Sequence, residues 1–105
     1  MIVSGGVNIY PREAEQVLAA HPAVLDAAVF GIPDAEFGES VKGVVELAGP
    51  VDEAELLAWC HEHLATYKCP RSIDIVASLP RDPNGKLFKR HLKDPYWEGH
   101  ASRIV

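Results

Sequence analysis

Apolar residues recur along the chain with a helical period in two stretches and gather into short branched runs in others. Ala14, Val17 and Leu18 form one face of a helix over 11–20. Pro11 suits its first turn, Glu13 and Glu15 sit at the positive end of its dipole, and His21-Pro22 ends it, because a residue before proline avoids helical geometry. Leu25–Ile32 is rich in small and branched apolar residues and predicts a strand. A second strand follows over Val41–Leu47, after the turn-forming Pro33-Asp34 and Gly38-Glu39, and the two are expected to pair. Asp52 with Glu55 three residues on opens a second helix over 53–64, whose Leu56, Leu57, Cys60 and Leu64 cover the sheet. Ser72–Ser78 reads as a third strand, ended by Leu79-Pro80; Pro83-Asn84-Gly85 turns the chain, and Leu87–Leu92 forms a short terminal helix. Asp94-Pro95-Tyr96-Trp97 closes the ordered part, and 99–105 is a loose tail. No repeat or low-complexity tract interrupts this order. The economical architecture is α+β, a small mixed sheet of about three strands flanked by helices, with 1–98 as one domain.

Length and composition narrow the picture. At 105 residues the chain holds a single core but is small for a complete nucleotide-using enzyme with two substrate pockets, so it is expected to be part of a larger protein. A hydrophobic fraction of 48% with 24% charged residues is that of an ordinary globule. No apolar run approaches the roughly 20 residues that span a bilayer, and Met1–Gly5 lacks the basic start and apolar core of a signal peptide. Two cysteines, Cys60 and Cys69, show no disulfide pattern, which fits a cytoplasmic protein. Cys60-His61-Glu62-His63 is not a metal site, since positions 61 and 63 of a helix face apart; Cys60 belongs to the core.

A net charge of −5 excludes a general affinity for nucleic acid. The basic residues are uneven, however. Lys68, Arg71, Arg81, Lys86, Lys89, Arg90 and Lys93 crowd the C-terminal half, whereas 13–62 holds Lys42 alone. An anionic ligand is expected to meet that half, or else the stretch is a solvated cationic face.

The candidate chemistry begins at Asp82-Pro83-Asn84-Gly85-Lys86-Leu87. Proline fixes φ, and asparagine and glycine tolerate left-handed backbone, so Pro83, Asn84 and Gly85 reverse the chain just before one cation, Lys86. Turns followed by lysine are common, and this one gains meaning from its company: Ser4-Gly5-Gly6-Val7-Asn8-Ile9-Tyr10-Pro11-Arg12-Glu13 upstream and Tyr67-Lys68-Cys69-Pro70-Arg71 between. His21-Pro22-Ala23-Val24, Ala27–Asp34 and Gly38-Glu39 complete the set. In order and spacing these segments resemble the small C-terminal lid domain of the adenylate-forming enzymes, which include acyl-CoA synthetases, peptide-synthetase adenylation domains and luciferases. The likeness covers essentially the whole chain. Lys68 stands where peptide-synthetase domains tend to carry an apolar residue, so the wording is closer to the acyl-CoA ligases.

The resemblance implies a mobile domain of an enzyme that converts a carboxylic acid, ATP and CoA into acyl-CoA, AMP and pyrophosphate. It implies a large N-terminal domain, not in this chain, as partner and as holder of Mg2+; ATP and CoA are substrates, and the fragment alone binds no cofactor and is inactive. Lys86 is the implied catalytic residue, neutralising charge during adenylate formation. Ser4, Gly5 and Gly6 are implied to line the CoA channel in the second half-reaction, and Arg71 with Lys68 to contact CoA phosphates. On the residues alone, the glycine pair also reads as a tight turn into the first helix, and Arg71 or Lys68 as a surface salt-bridge residue. Other readings are an interaction module of the same fold, a luciferase-like enzyme and a peptide-synthetase-type enzyme.

Overall fold

The computed structural model describes residues 2–85, 87 and 89–97, and of Arg90 the backbone. A short hairpin, β1 (Ile2–Ser4) and β2 (Val7–Ile9), leads into α1 (Pro11–Ala19). A long hairpin follows, β3 (Val24–Asp34) and β4 (Gly38–Leu47), then α2 (Glu53–His63), a 3-10 turn (Thr66–Lys68), β5 (Ser72–Val76) and α3 (Lys89–Trp97). β3 and β4 run antiparallel, and β5 joins the other side of β4 in parallel, with Gly43 opposite Ile73. The sheet is therefore mixed, in the order β3-β4-β5. A parallel neighbour needs a crossover, and α2 supplies it.

Both faces of this sheet are covered. Leu18 from α1 and Leu56 and Cys60 from α2 pack on Val29, Val45 and Ile73. On the opposite face Leu92 and Tyr96 of α3 pack against Ala28, Phe30 and Val44. Burial on two sides explains why β3 and β4 read as continuous apolar runs instead of alternating. Burial also pushes the Cys60 thiol up to about 11 and raises that of Cys69, so neither readily becomes the reactive thiolate.

The first two helices start where the residues direct, whereas α3, expected from Leu87, begins at Lys89. Pro11 opens α1, and the Asp52 carboxylate accepts the Glu55 amide at 2.9 Å to cap α2. A tie that sequence reasoning passed over joins them. The buried His21 ring accepts the Ala23 amide at Nδ1, 3.0 Å, which leaves Nε2 to donate to Glu55 at 2.9 Å.

The structure amends several expectations. The glycine pair forms a tight turn, but its flanks, for which no strand was expected, form β1 and β2, closed by buried Ile2 and Ile9. β3 runs on through Pro33, which is tolerated because β3 is an edge strand and loses no ladder bond there. The terminal helix was expected to stop at Leu92, yet α3 continues through Pro95 to Trp97. Two anchors hold its last turn: the Tyr96 hydroxyl donates to Asp74 Oδ2 at 2.7 Å and Trp97 Nε1 to the Gly31 carbonyl at 3.0 Å. Lys86, the end of the expected 1–98 domain and the expected tail 99–105 lie outside the described residues.

Candidate functional site

Gly5 and Gly6 make a two-residue hairpin turn with φ of +57° and +82°, left-handed values that a side chain resists. The Gly5 amide donates to the Phe37 carbonyl at 2.9 Å, so the turn leans on the β3–β4 loop. A Cβ on Gly5 would lie 3.3 Å from the Phe37 ring, whereas one on Gly6 would meet open space. A side chain at Gly5 would thus crowd the Phe37 ring as well as strain φ.

Phe37 organises this corner, although no spacing in the sequence singled it out. The Asp34 carboxylate accepts the amides of Glu36 and Phe37, each at 2.9 Å. Those two bonds, Phe37's first, hold the Asp34 carboxyl below its usual range, with Arg71's charge adding to the effect. The Arg71 guanidinium lies over the Phe37 ring, 4.5 Å from its centroid. Its backbone is fixed by a 2.9 Å bond from its amide to the Val41 carbonyl. Ser4, Phe37, Leu57, His61, Tyr67 and Arg71 line a common groove of about 720 Å3. Two residues singled out from sequence, Ser4 and Arg71, therefore share one concavity.

Lys68 does not line that groove. Its ammonium pairs with Glu13 of α1 at 3.0 Å, and that bond raises its pKa. Two other cations of the C-terminal half are likewise tied to acids of the N-terminal half. Lys89 meets Glu15, whose Oε2 also accepts the Val29 amide, and Arg81 meets Asp26. The cationic half expected from sequence is thus partly neutralised, and Arg71 supplies exposed positive charge in the groove.

The turn before Lys86 has a defined build. The Gly85 amide donates to the Asp82 carbonyl and the Asn84 amide to the Asp82 carboxylate, both at 2.9 Å. Gly85 takes φ +82°, and Arg81 pairs with Leu87 across the turn. Pro83, Asn84 and Gly85 are exposed. Arg81 Nη1 donates to the Gly85 carbonyl at 2.6 Å, while its Nε, at 2.9 Å, and Nη2 both donate to Asp26 Oδ2.

On the far face of the sheet lies a buried ammonium that no local pattern announces. Lys42 of β4 donates to Ser72 Oγ and Asp74 Oδ1, each at 2.9 Å, and lies 5.6 Å from the centre of the Tyr96 ring. The Lys42 bond, then that of Tyr96, holds the Asp74 carboxyl low. Burial, the bond to Asp74 and its charge push the Tyr96 phenol up to about 12. A phenol whose folded pKa exceeds its unfolded value near 10 stabilises the fold below pH ~10 and loses that contribution as pH rises toward 12. Tyr96→Phe is expected to cost about 1 kcal/mol at neutral pH and to shrink the decline between those limits; urea unfolding of both forms across the range measures it. An unchanged decline would assign it to other groups.

Among the described residues no group of three or more His, Cys, Asp or Glu is placed to hold a metal ion, and no helix is long and apolar enough to cross a membrane.

Comparison with known proteins accords with these features. The profile of the AMP-binding enzyme C-terminal domain matches residues 13–86. A 2-succinylbenzoate–CoA ligase of Bacillus mycoides (strain KBAB4) is 42% identical over 93 residues, covering 89% of this chain and 19% of the relative. Among solved structures, a Mycobacterium tuberculosis fatty acyl CoA synthetase superposes with a TM-score of 0.86 at 38% identity, over 91% of this chain and 19% of that one. ATP-bound MatB from Rhodopseudomonas palustris gives 0.85 at 38%, over 91% and 20%. The chain spans about a fifth of the length of these relatives.

Proposed function

The chain belongs to the AMP-binding enzyme C-terminal domain family, and from that premise we propose that it is the mobile C-terminal domain of an ATP-dependent acid–CoA ligase. Such an enzyme joins a carboxylate to the α-phosphate of ATP and expels pyrophosphate. The CoA thiol then attacks the acyl carbon, releasing AMP and a proton and leaving the thioester. Relatives carry names of CoA ligases for chemically different acids, so the acid itself is set by the partner domain. That partner is a large N-terminal domain, which also holds Mg2+; the setting is cytoplasmic, and the 105 residues alone are inactive.

In this reading Lys86 enters the site for the first half-reaction, positioning and neutralising the phosphoryl oxygens without acting as a base. Ser4, Gly5 and Gly6 enter for the second, where a turn with no side chains can lie against the slender pantetheine arm. Arg71 meets CoA phosphate, for which a guanidinium is well shaped. Lys68 joins it on release from Glu13. One small domain serves both steps by rotating about its tether.

The observation that carries the proposal is the shared groove of Ser4 and Arg71. It sets Ser4, the residue that leads into the glycine turn, beside the exposed positive charge of Arg71, as a thin ligand with a phosphorylated end requires. ATP–pyrophosphate exchange by the full-length protein, run over aromatic keto acids and fatty acids of several lengths and followed by thioester assay with CoA, tests it. Exchange with one acid class and conversion to its thioester is the expected result. No exchange with any acid would favour an interaction module of the same fold.

A further inference from the structure

The turn that carries Lys86 protrudes, and packing does little to aim it. A Cβ at Gly85 would meet nothing within 4 Å, and Pro83 and Asn84 are exposed. Two of its hydrogen bonds are internal, both returning to Asp82. Arg81 connects the turn to the sheet. Its guanidinium spends Nε and Nη2 on one oxygen of Asp26 and keeps Nη1 for the Gly85 carbonyl. That carbonyl is the acyl half of the peptide bond to Lys86, so its direction sets the plane from which the lysine departs.

Asp26 is itself placed with care. The β3–β4 register shifts between Val24 and Asp26, an irregularity of the kind that re-aims a side chain at a strand end. Its side chain is 24% exposed, against 41% for that of Arg81, and a further bond ties it to the Ala27 amide at 3.0 Å. The start of the segment is held as well, by Glu46 of β4, which accepts the Leu79 amide at 3.0 Å.

We infer that Asp26 and Arg81 are a positioning pair for Lys86: Asp26 holds the guanidinium flat, and the guanidinium holds the Gly85 carbonyl, and with it the backbone that leads into Lys86. The inference rests on the adenylation role proposed for Lys86. A solvent-facing ion pair of this exposure contributes little to stability. A misplacement of about 1 Å in a reacting group, by contrast, costs roughly a hundredfold in rate.

The experiment compares Asp26→Asn, Arg81→Gln and Arg81→Lys with Lys86→Ala in the full-length ligase, measuring ATP–pyrophosphate exchange, thioester formation from supplied acyl-adenylate, and melting temperature. Asp26→Asn and Arg81→Gln are expected to lower exchange by about 10- to 100-fold, with thioester formation within about twofold of wild type and melting little changed. Arg81→Lys should not restore exchange, because one ammonium lacks the planar fork that spans Asp26 and Gly85 at once. Adding Arg81→Gln to Lys86→Ala should cause no further loss, since the pair acts through the lysine. Wild-type exchange in Arg81→Gln beside a crippled Lys86→Ala overturns the inference and leaves the adenylation reading standing, and so does a full extra loss in the double variant. Exchange undiminished by Lys86→Ala overturns the adenylation reading and the inference with it.

Discussion

Lys86→Ala in the full-length ligase is expected to lower ATP–pyrophosphate exchange by roughly two to three orders of magnitude while thioester formation from supplied acyl-adenylate continues near the wild-type rate. A cation about 4 Å from a unit charge, at an effective dielectric near 20, contributes about 4 kcal/mol. Each ~1.4 kcal/mol of transition-state stabilisation is a factor of ten. In the first step charge builds at the α-phosphoryl group, where Lys86 is proposed to act; in the thiol attack it builds on the acyl oxygen and the departing AMP, with the other face of the domain proposed to meet the site, so the loss should fall on one half-reaction. The rotation proposed for the domain would sharpen that separation. Equal losses in both assays would show that the residue serves the fold or a common step, and would sink the division of labour proposed here.

The second large effect concerns stability. Leu18→Ala is expected to destabilise the domain by about 3–5 kcal/mol, lowering its melting temperature by roughly 15–30 °C. Leu18 is fully buried, and its Cδ1 would lie 3.5 Å from a Cβ built on Gly43, so α1, which packs mainly on β3, reaches the middle strand through this side chain. α1 has nine residues, too few to persist on propensity alone, and its buried residues are Ala14 and Leu18. Against a total of about 5–15 kcal/mol for a domain, such a loss leaves little margin. Thermal and urea unfolding measure it; a change below about 1 kcal/mol would mean that the neighbours close the space completely.

Legibility in the sequence tracked how local each signal was. α1 and α2 were readable because caps, proline and apolar spacing agree within one segment, and the β3–β4 hairpin because two apolar runs flank obvious turn residues. β1 and β2 were not, since three residues each are too short for a period, and what makes them strands is the burial of Ile2 and Ile9. The extension of α3 past Pro95 depends on bonds to Asp74 and Gly31, which no local pattern encodes. The same distinction holds at the groove. Ser4 and Arg71 stood out through glycine and basic wording that resembles a family. Phe37, which accepts the Gly5 amide and lies under the Arg71 guanidinium, looked like any loop aromatic, and the pairing of Lys68 with Glu13 links residues far apart in the chain. Lys42 shows the reverse case: a charge inside an apolar run reads as surface until Ser72, Asp74 and Tyr96 close around it.

The parallel placement of β5 has a bearing on how the chain comes together in time. β3 and β4 are neighbours in sequence and can pair through a short loop, but β4 receives its second partner only when Ser72–Val76 returns by way of α2. During synthesis the valine-rich middle strand of the finished sheet is therefore, for a while, an outer strand with an unpaired row of amides and carbonyls. Local helices and hairpins form in microseconds, whereas a ribosome adds about 5–20 residues each second, so this interval is long on the scale of folding. What the completed domain keeps at its centre is thus the surface most in need of protection while the chain is being made.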